Sequence, residues 1–129
     1  MATTSKITAV LTENGIQCKD MSGASVTAGG PGPRASDLLL MAIAGCSGGT
    51  LKAVMDKDGW NLSKLDIAVE GVRSEDRPRR YTDINVHYDI ECKGLSQDKA
   101  DAYVKATGDN CFVMQSISSQ KHLTFTLRN

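Results

Sequence analysis

An α+β fold is predicted by three features of the sequence. Ile84, Val86, Tyr88, Ile90 and Cys92 alternate without a break with Asn85, His87, Asp89, Glu91 and Lys93, the period of a strand with one dry face and one wet face. Leu38 to Met55 is long enough for a helix, and its first half, Leu38 to Ala44, is apolar on every side, the mark of a buried helix. The order is short strands, long apolar helix, strand pair, two helices and a last strand, rather than a regular strand–helix alternation. Together these predict antiparallel sheets around central buried helices. The 129 residues suit one domain over 1–129.

The elements follow in order. Ser5 to Leu11 and Ile16 to Lys19 read as short strands joined by Asn14-Gly15, a pair that tolerates positive φ and signals a hairpin. Ala24 to Ala28 is a candidate third strand. Gly29-Gly30-Pro31-Gly32-Pro33 holds neither a helix nor a central strand and marks a loop. Ser36 or Asp37 can cap the helix that follows, and the Asp37 carboxylate suits its positive end. The second half of this helix sets Leu51, Val54 and Met55 against Lys52, Asp56 and Lys57, and Gly59 ends it. Gly45, Gly48 and Gly49 weaken it, which points to close approach of another backbone, such as a partner helix, beside Cys46.

Leu65 to Glu70 and Ile84 to Cys92 form a long antiparallel hairpin through Glu75 to Arg80. Ser96 caps a helix that buries Ala100, Tyr103 and Val104 and runs to about Thr107, where Gly108 breaks it. Asp109 or Asn110 caps a short second helix with Cys111, Met114 and Ile117 on one side. Leu123, Phe125 and Leu127 alternate with polar residues as the last strand. So short a chain, with one apolar helix and its strands, leaves apolar surface uncovered, and a homodimer sharing the core is the natural remedy.

Composition excludes several functions. Fifteen basic residues balance fifteen acidic ones, so nothing attracts nucleic acid or an anionic membrane over long range. The one basic cluster, Arg77-Pro78-Arg79-Arg80, lies beside Glu75, Asp76 and Asp83 and reads as a solvated hairpin loop. Met1 to Lys6 lacks the charged-then-apolar pattern of a signal peptide. The longest apolar run, Leu38 to Ala44, is too short to span a bilayer. A cytoplasmic protein is expected, with its thiols reduced. No phosphate-binding loop and no metal cluster is present, so no cofactor is expected.

The four cysteines carry the remaining chemistry. None forms a Cys-x-x-Cys pair. Cys92 continues the apolar face of its strand and reads as a core thiol, as does Cys18 on its short strand. His87 and His122 are isolated and read as wet-face strand residues. Cys111 has two readings of equal weight: a thiol activated by the helix start it occupies, or a packing residue beside Met114 and Ile117. Cys46, inside the apolar helix, reads from its surroundings as an unreactive thiol of raised pKa. Donors or a cation from elsewhere are needed to activate it.

The stretch Gly32-Pro33-Arg34-Ala35-Ser36-Asp37, followed by the Leu/Ala-rich helix that ends at Gly45-Cys46-Ser47, resembles the first signature of the OsmC/Ohr family. Asn110-Cys111-Phe112-Val113 resembles the second, and the strand pair with Val69-Glu70-Gly71 and Arg77-Pro78 is similar to the YhfA-like branch. The resemblance implies an intertwined homodimer with active sites at the subunit interface. It implies a peroxidatic Cys46 and a resolving Cys111, in a peroxiredoxin-type reduction of organic hydroperoxides reset by a dithiol reductant. Asp37 stands one place from the glutamate of the best-known branches, where this chain has Ser36. Their activating N-terminal arginine is absent, since the first arginine is Arg34. Arg34, or Arg73, Arg79 or Arg80 of a partner chain, are the candidate substitutes. The alternative is a non-enzymatic stress protein of the same fold, binding an apolar small molecule at the dimer interface.

Overall fold

The computed structural model describes residues 3–129, so Met1 and Ala2 of the polar N-terminal stretch lie outside the described residues. Among the described residues the fold is α+β, with two three-stranded sheets and three helices. The chain gathers into two compact units, residues up to Leu39 and Leu40–Asn129.

In the first unit, β1 (Thr8–Thr12), β2 (Gly15–Lys19) and β3 (Ser25–Ala28) form an antiparallel meander in that order. Of the hairpin pair Asn14-Gly15, only Gly15 takes positive φ, at 124°. Among the described residues up to Leu39 none is buried, and Leu11 is 79% exposed. Burial therefore does not hold this sheet together within the chain. Its geometry rests on tight turns. Gly30 has φ 57°, and a Cβ there would lie 2.1 Å from the Asn14 carbonyl oxygen. Gly30→Ala is thus expected to lower stability by at least about 1 kcal/mol through backbone strain and clash, read as a fall in the thermal midpoint.

Helix α1 (Ala35–Lys57) starts one residue before Ser36. Ser36 and Asp37 therefore lie inside its first turn, instead of capping it from outside. Ile43, Ser47, Leu51 and Met55 recur every four residues and form its buried stripe. The expectation of an all-round buried first half is corrected: Met41 is 55% exposed and Ala42 and Gly45 are exposed as well. One chain supplies too few neighbours to cover every side. By length and composition α1 is also apolar enough to cross a bilayer, since the helix extends well beyond the run Leu38 to Ala44. Gly59 ends it as expected: with φ 84°, it donates to the Asp56 carbonyl, while the Trp60 N–H returns to Met55.

In the second unit, β4 (Lys64–Arg73) pairs antiparallel with β5 (Tyr81–Glu91), joined through the expected hairpin. The sheet is mixed, however, because β6 (Gln120–Arg128) runs parallel to β5. The helices between β5 and β6 form a long crossover, which returns the chain in the same direction. Ile84, Val86, Tyr88 and Ile90 are buried, confirming the period-two reading of β5. His87 and His122 sit on the wet face, bonded to Thr124, Thr126 and Asp83.

Helix α2 (Gln97–Asn110) is capped by Ser96, whose side chain accepts from the Lys99 N–H. It does not break at Gly108. A Cβ at that position would come within 3.0 Å of Leu123 on β6, so the glycine allows the helix to lie close on the sheet. The glycine costs about 1 kcal/mol in helix propensity but avoids that crowding. The cap of the short α3 (Phe112–Gln115) is Cys111, and not Asp109 or Asn110, because α2 consumes those two residues.

Candidate active site

Cys46 and Cys111 come together. Cys46 sits at mid-length of α1, half-buried. Cys111 is the joint between two helices: its N–H donates to the Thr107 carbonyl at 2.9 Å, closing α2, and its carbonyl accepts from Gln115 at 3.0 Å, opening α3. Held at both sides in extended conformation, its side chain is fully buried beside Cys46, whose ionisation it favours.

The first amides of a helix have no intrahelical acceptor. Here those of α3 serve Cys46. The Val113 N–H has the largest effect in holding the Cys46 thiol below its ordinary pKa; burial opposes it, and the Cys111 thiol and the Phe112 N–H add to it. The Thr50 hydroxyl contributes least, its proton being given to the Cys46 carbonyl 2.8 Å away. The groups that favour the Cys46 thiolate are thus neutral donors from the chain itself. Cys111 is pushed the other way, first by burial and then by the neighbouring Cys46 charge, against the Met114 and Val113 amides. Of the two thiols, Cys46 is the one that gives up its proton more readily.

This corrects two readings of the sequence. Surroundings along α1 marked Cys46 as inert, but the donors arrive from α3. The start of α3 marked Cys111 as a candidate activated thiol, but its Val113 and Phe112 amides favour ionisation of Cys46, and burial is the largest effect on Cys111, pushing it up. Nothing in the periodicity of either helix reports that the two meet.

The third candidate, Asp37, accepts from Arg34 Nε at 3.2 Å within the first unit. Arg73 lies over the Tyr81 ring at 5.2 Å, and Arg80 pairs with Asp76 at 3.1 Å. Cys92 is a core thiol whose pKa burial raises, as its strand position implied. Cys18 is half-buried on β2. Sequence reasoning missed Ser47 and Tyr88, two buried hydroxyl residues, of which Ser47 directly follows Cys46. The unbroken apolar face of β5 made Tyr88 read as plain core. Gly48 also has a defined use: a Cβ there would meet Ile67 of β4 at 2.7 Å, whereas Gly45 and Gly49 have nothing within 4 Å.

The sequence profile of the family described as OsmC-like protein matches residues 27–127, spanning both cysteines. No curated protein matches the chain. Among solved structures, the chain is similar to an OsmC-like protein from Mycoplasma pneumoniae, with 20% identity, full coverage of both chains and a TM-score of 0.88. A hypothetical protein from Aquifex aeolicus gives 22% identity, 98% coverage of both chains and a TM-score of 0.87. The organic hydroperoxide resistance protein OhrB of Bacillus subtilis gives 18% identity, 98% coverage of both chains and a TM-score of 0.64. At these identities the neighbours establish the fold. The profile match covers most of the chain, and the chain belongs to the OsmC-like protein family.

Proposed function

We propose that this protein reduces organic hydroperoxides in oxidative-stress defence, with Cys46 as the peroxidatic and Cys111 as the resolving cysteine. What carries this reading is the division of labour at the two sulfurs: a half-exposed thiol whose ionisation the α3 amides favour lies beside a buried thiol whose ionisation burial opposes. The Cys46 thiolate attacks the distal peroxide oxygen, the O–O bond breaks, and the alcohol leaves with a proton. Cys46 is then a sulfenic acid. The Cys111 sulfur displaces its hydroxyl as water, forming the Cys46–Cys111 disulfide. A dithiol reductant takes the oxidation in turn and returns both thiols.

An apolar substrate is favoured by Phe112, 79% exposed beside Cys111, and by exposed Met41 on α1. The same apolar residues, with the uncovered first sheet and the open sides of Gly45 and Gly49, support a homodimer in which a partner helix approaches α1. Asp37 is assigned the holding of Arg34, the nearest arginine in sequence to the cysteine helix. The reductant requirement fits a reducing, cytoplasmic compartment.

The test is single-turnover kinetics with an organic hydroperoxide across pH. Because Cys46 is lowered, the rate of sulfenate formation is expected to rise with its thiolate and level off below the ~8.5 of a free thiol. Because Cys111 is raised, disulfide formation is expected to keep accelerating at higher pH. A first step that tracks an ordinary thiol, or no consumption of peroxide, would overturn the proposal.

A further inference from the structure

A groove of about 560 Å³ lies between the turn that follows α1 and the first turns of α2, lined by Asp58, Trp60, Lys99, Ala102 and Tyr103. The peroxide chemistry proposed above uses none of these residues. Asp58 directly follows α1, about three helical turns beyond Cys46.

The walls of the groove are set by the fold. The Asp58 and Trp60 N–H groups both donate to the Met55 carbonyl, at 3.1 and 3.0 Å. The half-buried Trp60 ring packs on the core, and a Cβ at Gly94 would lie 3.9 Å from it. Tyr103 also packs half-buried on the core, one turn along α2 from Lys99. Its hydroxyl donates to Asp58 Oδ2 at 2.5 Å, which pins the carboxylate.

The charges in the groove are arranged unusually. Lys99 is exposed, and its ammonium lies over the Trp60 ring, 5.1 Å from the centroid. Among the described residues Lys99 has no carboxylate partner and Asp58 has no cationic one. Two opposite charges therefore line one groove without pairing. The groups held in place are an indole, a phenol and a carboxylate, and aromatic faces carry the negative part of the ring quadrupole. The positive group is a hydrated point charge on a flexible four-carbon stem, free to leave. Where Lys99 rests shows which sign of charge the indole accepts.

We infer that this groove is a binding site for a small organic cation carrying an alkylated ammonium group, whose place on the Trp60 ring Lys99 holds until it binds. The Lys99 side chain then swings to solvent, the alkylated ammonium settles on the indole, and Asp58 balances its charge. Alkyl groups add carbon contact with the rings and weaken hydration of the charge. A divalent metal ion demands more oxygen ligands than one carboxylate supplies. The inference stands apart from the peroxidase reading, since no group at the two sulfurs enters it.

Trp60 is the only tryptophan of the chain, so its fluorescence reports on the groove. The test titrates the protein with tetramethylammonium chloride, with sodium chloride at equal ionic strength as the reference. A saturable change in emission is expected with the first salt and not with the second. Lys99→Gln is expected to tighten binding about threefold, because it removes the competing ammonium from the ring. Asp58→Asn is expected to weaken binding about threefold, the scale of one exposed ion pair. Both residues are exposed, so neither change removes core packing, and the opposite signs separate a cation site from a general disturbance of the fold.

No saturable response to tetramethylammonium would overturn the inference. So would a midpoint that Lys99→Gln fails to lower or that Asp58→Asn fails to raise. A saturable response to sodium acetate in place of tetramethylammonium would assign the groove to an anion held by Lys99 and overturn it as well.

Discussion

Cys46→Ser is expected to leave hydroperoxide consumption at the rate of buffer, a loss on the order of 10³-fold or more. The size follows from what the substitution removes. A serine hydroxyl in the same place is offered the same Val113 and Phe112 amides, but its proton is held far more tightly than that of a thiol, so donors sufficient for a thiolate do not create an alkoxide. The substitution is nearly isosteric, so stability should change little and the loss should appear in turnover. Equal consumption by wild type and variant would instead favour the reading of a non-enzymatic protein that binds an apolar small molecule.

Cys111→Ser is expected to separate the two halves of the reaction. The first equivalent of hydroperoxide is consumed, Cys46 stops at the sulfenic acid, and turnover with a dithiol reductant that depends on the intramolecular disulfide falls by about tenfold or more. Peroxide in excess then drives Cys46 to the sulfinic acid, visible by mass as a second added oxygen. The Cys46 pKa should change only modestly, because the Val113 amide, rather than the Cys111 thiol, is the largest favourable cause of its lowering. A variant that turns over like wild type would remove Cys111 from the mechanism.

What the sequence makes legible here is local. The alternation of β5 identified Ile84, Val86, Tyr88 and Ile90 as one buried face because strand periodicity is a property of the strand alone. Gly59 marked the end of α1 because its left-handed conformation is a local requirement. Gly108 misled because its role is set by Leu123 on β6, which no neighbouring residue announces. The same holds for the direction of β6, fixed by the crossover through α2 and α3.

The candidate site divides in the same way. Cys46 and Cys111 were picked out by resemblance. Their physical roles were not derivable, since an apolar helix taken alone makes Cys46 inert and a helix start taken alone activates Cys111. The first conclusion reverses once the amides of α3 are set against the sulfur on α1, and burial decides the open choice at Cys111. Ser47 and Tyr88 were invisible for a related reason. A buried hydroxyl matters only for what it faces, and one of the two sits in a run of core residues indistinguishable from packing.

The most direct measurement is peptide mapping of the fully reduced protein after one equivalent of an organic hydroperoxide. A single new crosslink between the Cys46 and Cys111 peptides is expected, with Cys18 and Cys92 still free. Four unchanged thiols, or a crosslink that bypasses Cys46, would contradict the assignment of these two sulfurs as the reactive pair.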